Sequence, residues 1–375
     1  MSSVGDKVLP FLEGDYLAPH LLLVVEPPLD SNLFAESAES PRTWSNGMTV
    51  ASQATCPGST PGVRIGCWCI TPFGSGGEFK CRTRFAGFDS MTDWPQLEPM
   101  PNQLVNYGVT ENGIAIIELC SDSAGDPLVE GKTSVNTYTH AMMRDIDEAV
   151  LRARFDDDVT VIVMTGHGDK FFSAGASISM LDSVTPGFKY FFCLHANETL
   201  SRFEQTPKLV IAALNGHAIG GGLEIAMAAD IRIGRKDAGQ VGLPEVSLGV
   251  LAGTGGTARL SRLVGKAKAM EIMVTGRKFS YEEAAEMDLV HDVWDGTSDQ
   301  FKQDILDYAG QFTLPFAASK AIGNIKRSVQ SGMEIPLEYH LALERELQSD
   351  LFQSKDAKTG IAAYVEKKTP RFEGA

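Results

Sequence analysis

Three consecutive glycines, Gly220 to Gly222, open the helical run Leu223-Glu224-Ile225-Ala226-Met227-Ala228-Ala229, apolar on nearly every side except for one glutamate. A helix that is apolar all round must be buried, so Glu224 is expected out of bulk water. Glycines at its mouth let a ligand or a neighbouring strand approach the backbone where a Cβ would obstruct it. The N-terminal end also presents unpaired N–H groups and a partial positive charge, able to hold an anion or an oxygen that is becoming negative. Burial raises the pKa of a carboxyl group unless a cation compensates. Glu224 is therefore either a candidate general acid or base, or a structural partner of an arginine such as Arg232 or Arg235.

Two further stretches carry the same character. Glu245 follows Pro244 in GLPEVSLGVLAGTGGTARLSRLVG, and the proline gives it a rigid, well-directed corner. Gly253, Gly255 and Gly256 precede another helical stretch, Thr257 to Val264. In GHGDKFFSAGASISML, the small residues Ser173-Ala174-Gly175-Ala176 again permit close backbone approach. Two carboxyl groups flanking a small site can share a water molecule, one removing its proton while the other supplies a proton to carbon.

The surrounding chain divides by texture. Residues 1–105 hold 11 of the 18 prolines, keep no helical period, and are expected to form a poorly structured extension of unassigned role. From residue 106, the segments 113–120, 159–166, 209–214 and 230–234 read as strands. They alternate with helical stretches around Met142 to Leu151 and beyond, which gives an α/β core over 106–300. Residues 301–375 read as helical, with Pro315 and Pro336 near helix starts.

Composition excludes several classes. A net charge of −15 argues against a sequence-independent grip on nucleic acid, which needs clustered Lys and Arg. No apolar run is long enough to span a bilayer, and Lys7 is the only Lys or Arg before Arg42, so a cytoplasmic protein without a membrane partner is expected. The six cysteines, Cys56, Cys67, Cys69, Cys81, Cys120 and Cys193, lack zinc spacing, and free thiols with no metal are the expectation.

Three motifs in order carry a family resemblance. FFSAGASISM resembles the F-x-A-G-A-D-I segment of the enoyl-CoA hydratase/isomerase (crotonase) superfamily. NGHAIGGGLEIAMAADIRI is similar to its N-G-x-x-x-G-G-G-x-E-L-A-x-x-x-D stretch, and GLPEVSLGVLAGTGGTARLSRLVG to its P-E-x-x-x-G run. The resemblance implies a ββα spiral core with a helical C-terminal part that builds a homo-oligomer, a trimer or a dimer of trimers. It implies an acyl-CoA thioester substrate and no separate cofactor. By motif position, the backbone N–H groups of Ala176 and Gly221 would form an oxyanion hole, with Glu224 as base on water and Glu245 as acid toward Cα. Ala174, Ala176, Ser177, Ile178, Ser179 and Gly221 would border the acyl-CoA, and Lys367 would reach it from an adjoining subunit.

The departures are specific. Ser177 stands where the family commonly has Asp, Ser179 where a Lys is frequent, and Ala252 where Pro is usual. The stretch 119–142 lacks the R-P and N-A-L pattern, and its Lys132 reads either as a phosphate partner or as a surface lysine. The implied activity is hydration of a 2-enoyl thioester. The alternatives are isomerase or hydratase-lyase action on a long or aromatic acyl group, and an RNA-binding relative of the fold.

Overall fold

The computed structural model describes residues 92–121 and 135–375. In chain order its strands are β1 (Glu98–Pro99), β2 (Val105–Val109), β3 (Ile114–Leu119), β4 (Val161–Gly166), β5 (Phe171–Ser173), β6 (Leu209–Leu214), β7 (His217–Ile219), β8 (Ile231–Arg235), β9 (Gln240–Gly242), β10 (Lys278–Ser280) and β11 (Asp292–Trp294). The helices are α1 (His140–Phe155), α2 (Ile178–Ser183), α3 (Pro186–Gln205), α4 (Gly221–Met227), α5 (Gly256–Val264), α6 (Lys266–Thr275), α7 (Tyr281–Glu286), α8 (Ser298–Gly310), α9 (Ser319–Gly332), α10 (Leu337–Phe352) and α11 (Lys355–Glu366).

The larger sheet has the order β1-β2-β3-β4-β6-β8-β11, antiparallel at its β1 end and parallel from β3 onward. The smaller one has the order β10-β9-β7-β5. Both faces of the larger sheet are covered, which is why its strands read as unbroken apolar runs. Ile114 and Ile116 of β3, Val161 and Val163 of β4, and Ile211 and Ala213 of β6 pack on α8 through Phe301, Ile305 and Leu306. The alternate residues, among them Ile117, Ile162, Met164 and Val210, face a second core that holds Met142, Ile146, Phe172, Phe203, Leu223 and Ile225.

The two boundaries read from sequence both cut through elements. Val105 begins β2, and Met100 and Leu104 are buried, while Trp94 and Leu97 pack against the α8 core. This entry into the fold escapes a pattern search because β1 is two residues long and prolines interrupt the approach to β2. Likewise α8 runs from Ser298 to Gly310 and belongs to the core, so the division after residue 300 falls inside a helix. The expectations for residues 1–91, for Cys56, Cys67, Cys69 and Cys81, and for Lys132 lie outside the described residues. Cys193 carries a free thiol. Among the described residues, no helix is long and apolar enough to cross a membrane.

The C-terminal helices are fastened to the core by charge. Lys326 of α9 meets Asp230, just before β8, at 2.7 Å, and also donates to the carbonyls of Phe203 and Lys208. Asp230 in turn accepts the Val210 amide of β6. Burial pushes the Asp230 carboxyl up and the Lys326 ammonium down, against their mutual attraction. Such a pair is costly to break from one side, since the remaining charge keeps its desolvation cost and loses its partner. Lys326→Met should lower the unfolding free energy by about 3 kcal/mol in a urea titration, whereas loss of an exposed pair such as Lys320 with Asp350 should leave the urea midpoint near that of the wild type.

Candidate active site

The chain leaves β5 into the small-residue turn 174–177, where Tyr138 runs alongside it. The Tyr138 amide donates to the Gly175 carbonyl at 2.9 Å, and the Ser177 amide donates to the Tyr138 carbonyl at 3.0 Å. This parallel bridge pairs Tyr138 with Ala176, a pattern that turns the Ala176 amide away from Tyr138. Gly175 has φ +89°, and a Cβ built on it would lie 2.8 Å from the Ile219 carbonyl oxygen and 2.9 Å from the Gly221 nitrogen. Only a residue without a side chain lets the two loops meet so closely. Among the described residues, neither the Ala176 nor the Gly221 N–H donates to a protein acceptor. The helix behind Gly221 spans only seven residues, so the site offers individual amides more than a long helix dipole.

Glu224 is 2% exposed, as its apolar neighbours demand. Its Oε1 accepts the amides of Thr254 at 2.7 Å and Gly256 at 2.6 Å, supplied by the glycine-rich turn that opens α5. Burial pushes its pKa up to about 7. The Gly256 amide opposes that shift, the charge of Glu245 adds to it, and the Thr254 amide and Lys189 offset part of it. The arginine-paired alternative for Glu224 is overturned. Arg232 donates to the carbonyls of Leu289 and Ala229, and Arg235 to those of Asn215 and Asp169.

Glu245 opens a 3-10 turn, Glu245–Leu248, directly after Pro244. A Cβ on Gly220 would lie 2.7 Å from its Oε1, so this carboxyl group packs directly against the first glycine of the triplet, whose φ of +56° also favours a residue without a side chain. Its Oε2 is buried without a hydrogen-bond partner, and burial raises its pKa. The fold thus brings Glu224, Glu245, Gly221 and the Ala176 turn together. A cavity of about 380 Å³ opens beside Glu245, walled by Val246, Leu251, Ala252, Met270 and Met273. That size suits a small apolar group.

The remaining sequence candidates divide. The Ala174 amide is used within the fold, by the Val135 carbonyl at 2.9 Å. Ser177 is buried, caps α2 through the Met180 amide, and meets Ser179 at 3.1 Å. A serine can therefore do the capping that an aspartate would do at this position. Ile178 is exposed on the first turn of α2. Lys367 stands apart from this cluster, exposed at the C-terminal cap of α11 in a left-handed conformation. The aromatic stretch 188–195 splits, with Phe192 buried while Phe188, Tyr190 and Phe191 face outward. Sequence reading missed Tyr138, whose buried ring stacks on Phe192 and whose hydroxyl meets Thr254 Oγ1 at 2.9 Å.

Comparisons with known proteins identify the family. The family described as enoyl-CoA hydratase/isomerase matches residues 129–375. The short-chain-enoyl-CoA hydratase of Clostridium acetobutylicum is 32% identical over 237 residues, covering 63% of this chain and 88% of that protein. The 2,3-dehydroadipyl-CoA hydratase of Escherichia coli is 32% identical over 246 residues, 64% of this chain and 91% of that protein. A crystal structure of an enoyl-CoA hydratase from Geobacillus kaustophilus, 39% identical, superposes with a TM-score of 0.67 and covers 75% of this chain and all of that one. With a family match across most of the chain and a crotonase-type fold beneath it, this protein belongs to the enoyl-CoA hydratase/isomerase family.

Proposed function

We propose that the chain is an enoyl-CoA hydratase, adding water across the 2,3 double bond of an enoyl-CoA thioester to give the 3-hydroxyacyl-CoA. The observation that carries this reading is the grouping of buried Glu224 and half-buried Glu245 with the two uncommitted amides of Ala176 and Gly221. The thioester oxygen accepts the Ala176 and Gly221 amides. Glu224, as the carboxylate, takes a proton from water, and the water oxygen bonds to C3. The alkene electron pair moves onto Cα and the carbonyl oxygen, where each amide can contribute ~3 kcal/mol of stabilisation to the enolate. Glu245, protonated, then delivers its proton to Cα. The Glu224 pKa near 7 supports a group that works near neutrality, and burial shifts Glu245 in the same direction. They form a coupled pair, so the rate profile reports the pair rather than either residue.

The small apolar cavity beside Glu245 would take the acyl end. The names of the Clostridium and Escherichia relatives, which differ in acyl group, support an enoyl-CoA substrate without choosing the chain. Exposed Ile325 and Val329 on α9, Met333 at its C-terminal cap, and Tyr364 and Val365 on α11 support assembly of the helical part as a homotrimer or a dimer of trimers. A monomer by sedimentation would remove that part of the proposal. A cytoplasmic location is part of the same proposal.

Glu224→Gln should lower kcat for hydration about a thousandfold with KM little changed, and Glu245→Gln should do the same. A Glu224→Gln enzyme that retains isomerisation of a 3-enoyl thioester at most of its rate would favour the isomerase alternative and sink the hydratase assignment. The rate kcat/KM should fall as pH drops through about 7, where the coupled pair takes up the proton that leaves no carboxylate free to act as base. Stability has the opposite sign. Because the folded-state pKa lies above the ordinary 4.5, the folded chain holds this proton more tightly than the unfolded chain. The resulting stabilisation is complete below about 4.5 and lost as pH rises through about 7. Urea midpoints measured across that window should decline in the wild type and decline less in Glu224→Gln.

A further inference from the structure

Tyr138 reaches the Ala176 turn and Gly221 directly, and Glu224 through Thr254. Its backbone bonds flank Ala176, holding Gly175 and Ser177 on one side and leaving the Ala176 amide turned outward. Its ring lies so close to Gly221 that a Cβ there would overlap the ring edge and hydroxyl. Its hydroxyl meets Thr254 Oγ1 at 2.9 Å, and the amide of that same threonine donates to Glu224 at 2.7 Å. Phe192 stacks on the ring at 5.7 Å and fixes its plane. None of these contacts is local, since Tyr138 and Thr254 lie 116 positions apart.

The two hydroxyls also leave a remainder. Each carries one proton, and the bond between them uses one of the two. Among the described residues, neither oxygen has another partner, and both residues are 1% exposed. A buried O–H without an acceptor is costly, unless a ligand oxygen meets it.

We infer that Tyr138 is a positioning residue of this site: it sets the spacing of the Ala176 and Gly221 amides, ties them through Thr254 to the Glu224 carboxylate, and with Thr254 keeps one O–H proton for an oxygen bound between them. This rests on the hydratase reading for its chemistry, but its geometry can be read without turnover.

The test uses the full chain with Tyr138→Phe, Thr254→Val, the double variant and Thr254→Ser. Phenylalanine keeps the ring packing and the backbone bridge, and valine keeps the amide that binds Glu224. Hydration of crotonyl-CoA gives kcat and KM, and the absorption maximum of bound dimethylaminocinnamoyl-CoA reports how strongly the site polarises a thioester carbonyl. Tyr138→Phe and Thr254→Val should each lower kcat about tenfold with KM and the thermal midpoint near wild type, the double variant no further, and Thr254→Ser less than about twofold. The red shift of the bound probe should shrink in the same order.

A Tyr138→Phe enzyme with wild-type kcat and an unchanged probe spectrum would overturn the inference. So would loss of folded protein in Tyr138→Phe alongside a fully active Thr254→Val, since that would leave only a packing role. If the wild type binds the probe with a red shift but hydrates nothing, the hydratase reading fails. The probe series then decides the role of Tyr138 by itself.

Discussion

Two backbone amides converging on one oxygen of Glu224 allow a carboxyl group to stand in an otherwise apolar interior. Hydrogen bonds to a charged group contribute about 1.5–3 kcal/mol each, yet burial still outweighs them, and the pKa settles near 7 rather than at its ordinary value. The same two amides dictate the course of the chain. They pull the turn before α5 against α4, and α5 then holds α3 through the two-pronged pair of Arg259 with Glu204, at 2.7 and 2.8 Å. The helices that wall the site are thus located by the requirement to satisfy one buried oxygen.

Much of this was legible in the sequence where the signal is local. Strands covered on both faces leave unbroken apolar runs, and β3, β4 and β6 fall within the segments read as strands. The burial of Glu224 followed from its apolar neighbours, because a helix hydrophobic all round has no wet side. The glycines announced close approach, although they could not say what approaches: Tyr138 at Gly221, and the other loop at Gly175.

What stayed hidden depends on direction or distance. Arg232 and Arg235 lie near Glu224 in sequence, but they sit on β8 and its end, which aim them at carbonyls elsewhere. Tyr138 looked like an ordinary residue before a helix, since its partners arrive from far along the chain. Ser177 looked like a lost aspartate until its cap on α2 showed that the oxygen mattered more than the charge. The entry strand β1 is too short to announce itself, and α8 has the period of a tail helix although it packs as part of the core.

The parallel sheet has a kinetic corollary. Ile114 sits opposite Val161, and Val161 opposite Leu209, so neighbouring strands pair across roughly fifty intervening positions. Loops of that size must close before any strand contact rewards them, which places the central sheet late on the route from the newly made chain. Until then its all-apolar strands are bare, and the chain has its greatest need of protection from association while its future centre is still unassembled.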